Sequence, residues 1–181
     1  MRVYTRAGDD GTTGLFLGGR VSKADLLMSA CGDVDEAVAV LGVARASCTD
    51  HEVAAEIFER QRELFVVAAD LATNPDHRDR LEPGVSAVTQ DMVTSLEQSI
   101  DGHVARTPLR PVFVVPGTSP TSAALDHART VVRRAERSVV AVRVAGGEVS
   151  PICLTYLNRL SDLLFVMARE AADDPEPASH E

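Results

Sequence analysis

Thr121-Ser-Ala-Ala-Leu-Asp-His-Ala-Arg-Thr-Val-Val-Arg-Arg-Ala-Glu-Arg-Ser-Val-Val-Ala-Val-Arg-Val144 is the stretch whose reading decides the fold. It reads as one long amphipathic helix, with Ser119 in the N-cap position and Gly146-Gly147 as its stop. Downstream, Ser150-Pro151 stand as N-cap and N1 of a further helix that runs to about Ala171. Upstream, Pro108, Pro111 and Pro116-Gly117 break the chain around a short extended apolar run, Phe113-Val114-Val115. Before these breaks, Val85–His103 reads as a weaker amphipathic helix, and Asn74–Gly84, with prolines and charges, as a loop. His51–Ala72 carries Val53, Ile57, Leu64, Val67 and Leu71 on one side. Lys23–Ala46 places Leu27, Val34, Val38 and Leu41 at helical spacings, behind Ser22 as N-cap with Asp25 three residues on. Five helices with short joins predict an all-α, five-helix bundle in one domain, residues 1–172. The acidic, proline-containing tail Asp173–Glu181 is predicted to be disordered. Between Arg2 and Arg20, a density of Gly, Asp and Thr predicts a loop without strand or helix periodicity.

The chain has 181 residues, room for one sizeable core but short for two. A net charge of −9 argues against a nucleic-acid partner, which calls for a basic face or stripe. A few arginines can still build a positive pocket inside an acidic protein. Lys23 is the sole lysine; the other formal cations are arginines. Cys31, Cys48 and Cys153 show no CxxC pair or zinc-ligand spacing and read as reduced thiols. The polar start Met1–Gly11 lacks the apolar core of a signal peptide, and no stretch approaches the roughly 18 apolar residues that cross a bilayer. These features predict a cytoplasmic protein without a membrane partner.

Chemistry is expected where polar groups interrupt the apolar pattern. Arg129, Arg133 and Glu136 are spaced by four and three and share a helical face, with Arg134 and Arg137 beside it. Guanidinium forks suit bidentate capture of phosphate oxygens, although a solvated stripe with internal salt bridges reads the same way. Asn158 and Asp162, four apart, break an apolar run and fit either a nucleotide contact with a brace or a buried network between helices. Asp33, Asp35 and Glu36 fit an exposed acidic patch. In the N-terminal loop Gly8, Gly11 and Gly14 allow close backbone approach to a ligand beside Thr12 and Thr13, with Lys23 adding a cation. Neither GxxxxGK[ST] nor GxGxxG after a strand occurs.

Taken in order, Tyr4-Thr-Arg-Ala-Gly-Asp-Asp-Gly-Thr-Thr-Gly, Arg20-Val-Ser-Lys and Gly32-Asp-Val-Asp-Glu resemble the opening of PduO-type ATP:cob(I)alamin adenosyltransferases. Phe113-Val-Val-Pro-Gly and Ala128-Arg-Thr-Val-Val-Arg-Arg-Ala-Glu-Arg resemble that family's central block, and Tyr156-Leu-Asn-Arg-Leu-Ser-Asp-Leu-Leu-Phe its closing block. The resemblance implies a five-helix bundle assembled as a homotrimer, with sites between subunits. It implies that ATP is held by Thr5, Arg6, Gly8, Asp9, Gly11, Thr12, Thr13 and Lys23, with Arg133, Arg134, Glu136, Arg137 and Asn158. Glu136 would orient Mg²⁺ directly or through water.

Cobalt of cob(I)alamin would then attack the ribose C5′ and expel triphosphate, which needs no protein nucleophile and no general base. Phe113 would be the wedge that displaces the lower axial ligand of Co(II); its alternative reading is a core aromatic. Asp35 and Arg129 match a family salt bridge beside the corrin. A cobalamin-dependent acceptor enzyme and a flavin reductase are implied as partners. The chain departs from the family pattern at Asp126, commonly histidine, at Thr118, commonly glycine, and at Ala7. A non-catalytic corrinoid or nucleotide sensor or chaperone on the same fold is the alternative function. A small-molecule kinase, which would release ADP, and a purely structural bundle are further ones.

Overall fold

Helix starts leave backbone amides without partners, and this chain supplies them from side chains. Asp25 accepts from the Leu27 amide at 2.8 Å before α1 (Leu26–Ser47). Asp50 accepts from Glu52 and Val53 at 2.8 and 3.2 Å before α2 (His51–Leu71). The hydroxyls of Thr89 and Ser119 cap α3 (Gln90–Arg106) and α4 (Pro120–Val144). Each such cap contributes about 1 kcal/mol. Ser150 makes no side-chain cap bond, and α5 (Pro151–Glu170) relies on the fixed φ of Pro151. The computed structural model describes residues 4–180. Met1, Arg2, Val3 and Glu181, which end the predicted N-terminal loop and C-terminal tail, lie outside the described residues.

The helices stack by their apolar stripes: α1 lies against both α2 and α4, α4 against α5, and α5 against α3. Ala30, Val34, Ala37, Leu41 and Ala44 of α1 are fully buried at alternating spacings of four and three. Small residues here and at Ala128 and Ala135 of α4 let the two backbones approach closely. α5 is the central element, with Tyr156, Leu157, Leu160, Leu163 and Leu164 all fully buried. Burying a Leu-sized side chain contributes roughly 1.5–3 kcal/mol. Tyr156 satisfies its hydroxyl by donating to Glu63 of α2 at 2.6 Å. Elsewhere the buried His103 of α3 sits between Glu56 of α2, at 2.9 Å, and Glu170 of α5, tying three helices.

The structure departs from the sequence reading outside the helix interiors. The glycine-rich segment contains a two-stranded antiparallel ribbon, β1 (Thr12–Gly14) paired with β2 (Arg20–Ser22). Gly18 and Gly19 turn it with φ of 101° and 87°. That pairing holds Ser22 in a strand, so Asp25 rather than Ser22 opens α1. Residues predicted as a loop after α2 include a 3₁₀ helix, Pro75–Arg80. Buried Asp70 fixes this crossing by pairing with Arg78 and accepting from the Val88 amide at 3.0 Å. The tail predicted as disordered is seated instead. Val114 bridges antiparallel to Ala178, and Glu176 is buried against Arg169. A partner arginine on α5 makes burial of that carboxylate possible, which composition alone cannot reveal.

Candidate functional site

Successive residues on a helix point about 100° apart, so the arginines of α4 meet different surroundings. Arg134 turns to α1, its Nε donating to Asp33 at 2.9 Å and its NH2 pairing with Glu36. The Asp33 hydrogen bond, working against desolvation, raises its already high pKa. Ser138 donates to the same Asp33 at 2.5 Å. Arg134, predicted as a nucleotide contact, is paired here with two carboxylates of α1 and so links α1 to α4. Arg133 and Arg137 are exposed and carry no ion pair among the described residues. They continue into Val140 and Val144, both exposed, as one stripe at spacings of four, three and four.

The groove between α4 and α5 collects the polar interruptions. Glu136 accepts from Asn158 Nδ2 at 3.0 Å, and Asn158 Oδ1 accepts from Arg159 at 2.9 Å. Arg159 in turn donates to Glu97 of α3 at 2.8 Å. Asp162 stands near Arg133: partial burial raises its pKa, while Arg159 and Arg133 pull it down and Glu136 pushes it up. The structure therefore joins Arg133, Glu136 and Asn158, all predicted from sequence, in a single patch. Its donors are the unpaired Arg133 guanidinium and an amide, with Arg137 one turn further along α4, a set that suits phosphate oxygens and a ribose or base edge.

The N-terminal segment forms a second patch. Arg20 donates to the Ala7 carbonyl at 2.5 Å and through Nε to Thr12 Oγ1 at 3.0 Å, and Lys23 Nζ donates to the Gly8 carbonyl at 2.7 Å. Asp10 accepts from the Thr12 amide and hydroxyl at 2.9 and 2.8 Å, and the amide bond is the main reason its pKa falls. Gly8 is packed so that a Cβ there would stand 3.0 Å from Lys23 Nζ. Gly11 has a φ of 83° and Arg6 one of 64°, so the loop is folded back on itself. Thr5, Arg6 and Asp9 remain exposed, while Thr12 and Thr13 are half-buried in β1. No hydrogen bond or ion pair among the described residues joins this loop to Arg133, Arg137 or Asn158. Arg20, which shapes the loop, is absent from the sequence-predicted set. Its signal was the pairing of 12–14 with 20–22 around Gly18-Gly19.

Phe113 is 85% exposed, which rules out the core-aromatic reading. Its carbonyl accepts from Ser179 and the Val115 amide donates to Pro177, both at 2.8 Å, so the tail braces this run as a strand would. The predicted Asp35–Arg129 pair is not formed within the chain. Asp33 faces α4, and Asp35, two residues on, is rotated roughly 200° away and exposed. Arg129 Nε donates instead to Asp126 of its own helix at 2.9 Å. Arg129 and Arg169 lie over the Phe165 ring at 6.0 and 5.0 Å from its centroid.

The family model for cobalamin adenosyltransferase matches residues 3–171. The chain belongs to the cobalamin adenosyltransferase family. It is 45% identical to the corrinoid adenosyltransferase of Mycobacterium tuberculosis (strain H37Rv) over 179 residues, 96% of this chain and 90% of that one. It is 38% identical to the corrinoid adenosyltransferase of Bacillus subtilis (strain 168), over 93% of this chain and 86% of that one. Among solved structures it superposes with a TM-score of 0.90 and 29% identity on a phenylalanine-to-alanine variant of a PduO-type ATP:corrinoid adenosyltransferase. That variant, from Lactobacillus reuteri, is complexed with cobalamin and ATP; the match covers 99% of this chain and 100% of that one. Among the described residues, no helix is long and apolar enough to cross a membrane.

Proposed function

We propose that this cobalamin adenosyltransferase family member transfers the 5′-deoxyadenosyl group of ATP to cob(I)alamin, releasing triphosphate. The observation that carries the proposal is the pair of unpaired arginines, Arg133 and Arg137, beside the Glu136–Asn158 hydrogen bond in a chain of this family. The cobalt nucleophile comes with the substrate, and no proton leaves the reacting carbon, so the protein needs neither a nucleophile nor a base. Its work is to align cobalt with C5′ and to stabilise charge gathering on the leaving triphosphate. Arg133 and Arg137 meet the phosphates, Asn158 reads the nucleoside, and the Thr5–Thr13 loop with Lys23 closes over the phosphate chain. Phe113, exposed and braced by the tail, presses on the lower face of the corrin with Arg129 beside it.

The residues fit a phosphate-held Mg²⁺ better than a protein-caged one. Among the described residues, no group of three His, Cys, Asp or Glu side chains converges on a metal position. Glu136 offers one oxygen not taken by Asn158, which matches an ion bound by one carboxylate, waters and substrate phosphates. When bound there, Mg²⁺ would neutralise phosphate charge.

The assembly in this reading is a homotrimer in which one copy's loop covers its neighbour's groove. The exposed Val140 and Val144 of α4 and the exposed Phe65 of α2 give such a neighbour apolar surface. Handover of the product to a cobalamin-dependent enzyme, a flavin reductase as electron donor and a cytoplasmic setting complete the proposal. The test is an anaerobic assay with ATP, Mg²⁺ and chemically reduced cobalamin, identifying the phosphate product. Adenosylcobalamin with triphosphate supports the reading. ADP would indicate a kinase, and saturable binding without turnover a sensor. Phe113→Ala should leave ATP affinity unchanged while abolishing four-coordinate Co(II); a Co(II) spectrum matching the parent's would remove the wedge.

A further inference from the structure

Asp126 of α4 is buried at 5% exposure, a position where an unpaired carboxylate is costly. It has two cationic partners. Oδ1 accepts from Arg129 Nε at 2.9 Å, and Oδ2 pairs with NH2 of Arg169 from α5. Arg169 continues to the tail, with Nε 2.6 Å from Glu176 Oε2 and NH2 3.0 Å from Oε1. The row Arg129–Asp126–Arg169–Glu176 alternates in sign, so each buried charge is offset by its neighbour.

Arg129 is gripped by Nε alone, and its NH1 and NH2 groups have no partner among the described residues. Asp126 and Arg129 line a cavity of about 230 Å³ under Pro116-Gly117, the end of the run that carries Phe113. Arg169 and Glu176 line another, of about 270 Å³, reaching the Leu109–Val114 segment. A carboxylate offers both oxygens to two guanidiniums at once. A neutral imidazole in its place would have one acceptor nitrogen and could hold only one.

We infer that Asp126 is a positioning residue for the corrin half of the reaction: by holding Nε, it sets the direction in which Arg129 presents its NH1 and NH2 groups. The inference rests on the reading that Arg129 lies beside the corrin. The test compares the parent chain with Asp126→Asn, which keeps shape and an acceptor oxygen but loses the charge that holds both arginines. KM for chemically reduced cobalamin should rise about tenfold and the four-coordinate Co(II) signal should weaken, with KM for ATP changed by less than about twofold. Unchanged cobalamin parameters would overturn the inference, and so would ATP and cobalamin values moving together, the mark of general loosening. Should Asp126→Asn fail to fold, Asp126→Glu keeps the charge and displaces it by one methylene. It should still raise the cobalamin KM selectively, and parent-like values would again overturn the inference. Arg129→Met separates the two claims. If it leaves cobalamin KM unchanged, Arg129 is not at the corrin; if it raises that KM while Asp126→Asn does not, only the positioning role is lost.

Discussion

α4 shows arginines to two sides, and the two sides differ in what meets them. Toward α1, Arg134 is taken up by Asp33 and Glu36. Toward α5, Arg133 keeps its donors, with Glu136 and Asn158 hydrogen-bonded to each other beside it and Arg137 exposed one turn further on. Neighbours in sequence thus differ in surroundings: one guanidinium links two helices, while the next has no ion-pair partner among the described residues. Arg134 has committed its Nε and NH2 to carboxylates, so those donors reach phosphate only by giving up those bonds, whereas Arg133 and Arg137 exchange water alone.

The contrast is broken most directly by Arg133→Ala, which should lower kcat by about 10²–10³, the range for losing one preorganised donor to developing charge. Near-parental turnover in the anaerobic assay would place Arg133 outside the site. Asn158→Ala removes the amide and leaves Glu136 without its partner; kcat/KM for ATP should drop about tenfold, a loss of about 1.4 kcal/mol. A loss confined to cobalamin parameters would show that Asn158 does not read the nucleotide. Arg134→Met tests the other side. It should cost about 1 kcal/mol of stability, roughly 2–4 °C in Tm, with KM for ATP unchanged. A raised KM for ATP at unchanged Tm would return Arg134 to the nucleotide site.

The smallest effect lies away from α4, at His103. Burial alone would lower its pKa, but hydrogen bonds to Glu56 and Glu170 outweigh that and raise it above the usual 6.5. Its contribution to stability is complete below 6.5 and is lost as pH rises through the folded value. Glu56 and Glu170 run the other way. Burial opposes the shift, yet hydrogen bonds involving His103, Ser99 and Arg106 lower both pKa values below 4.5. Their contribution is present above 4.5 and lost as pH falls through the folded values. Tm should therefore decline from pH 6 toward alkaline pH, and His103→Gln should flatten that arm. An unchanged slope would show that the staple does not set it.

The sequence by itself determined the helices, because apolar spacing, proline and capping residues act within a few positions. Ser119 caps α4 and Pro151 opens α5 where the sequence puts them. It also determined the family, since three ordered blocks span most of the chain. It could not tell which arginine is free. Arg133 and Arg134 are chemically identical, and only packing α1 against α4 puts Asp33 beside one of them. The same holds for the ribbon, whose paired residues lie six to ten positions apart. It holds too for the tail, where Glu176 meets an arginine of α5 and Pro177 and Ser179 bond to the Phe113 run. Local signals decide what each segment becomes. Which charges are neutralised and which are left for a substrate depends on contacts between residues distant in sequence, and only the tertiary structure decided those.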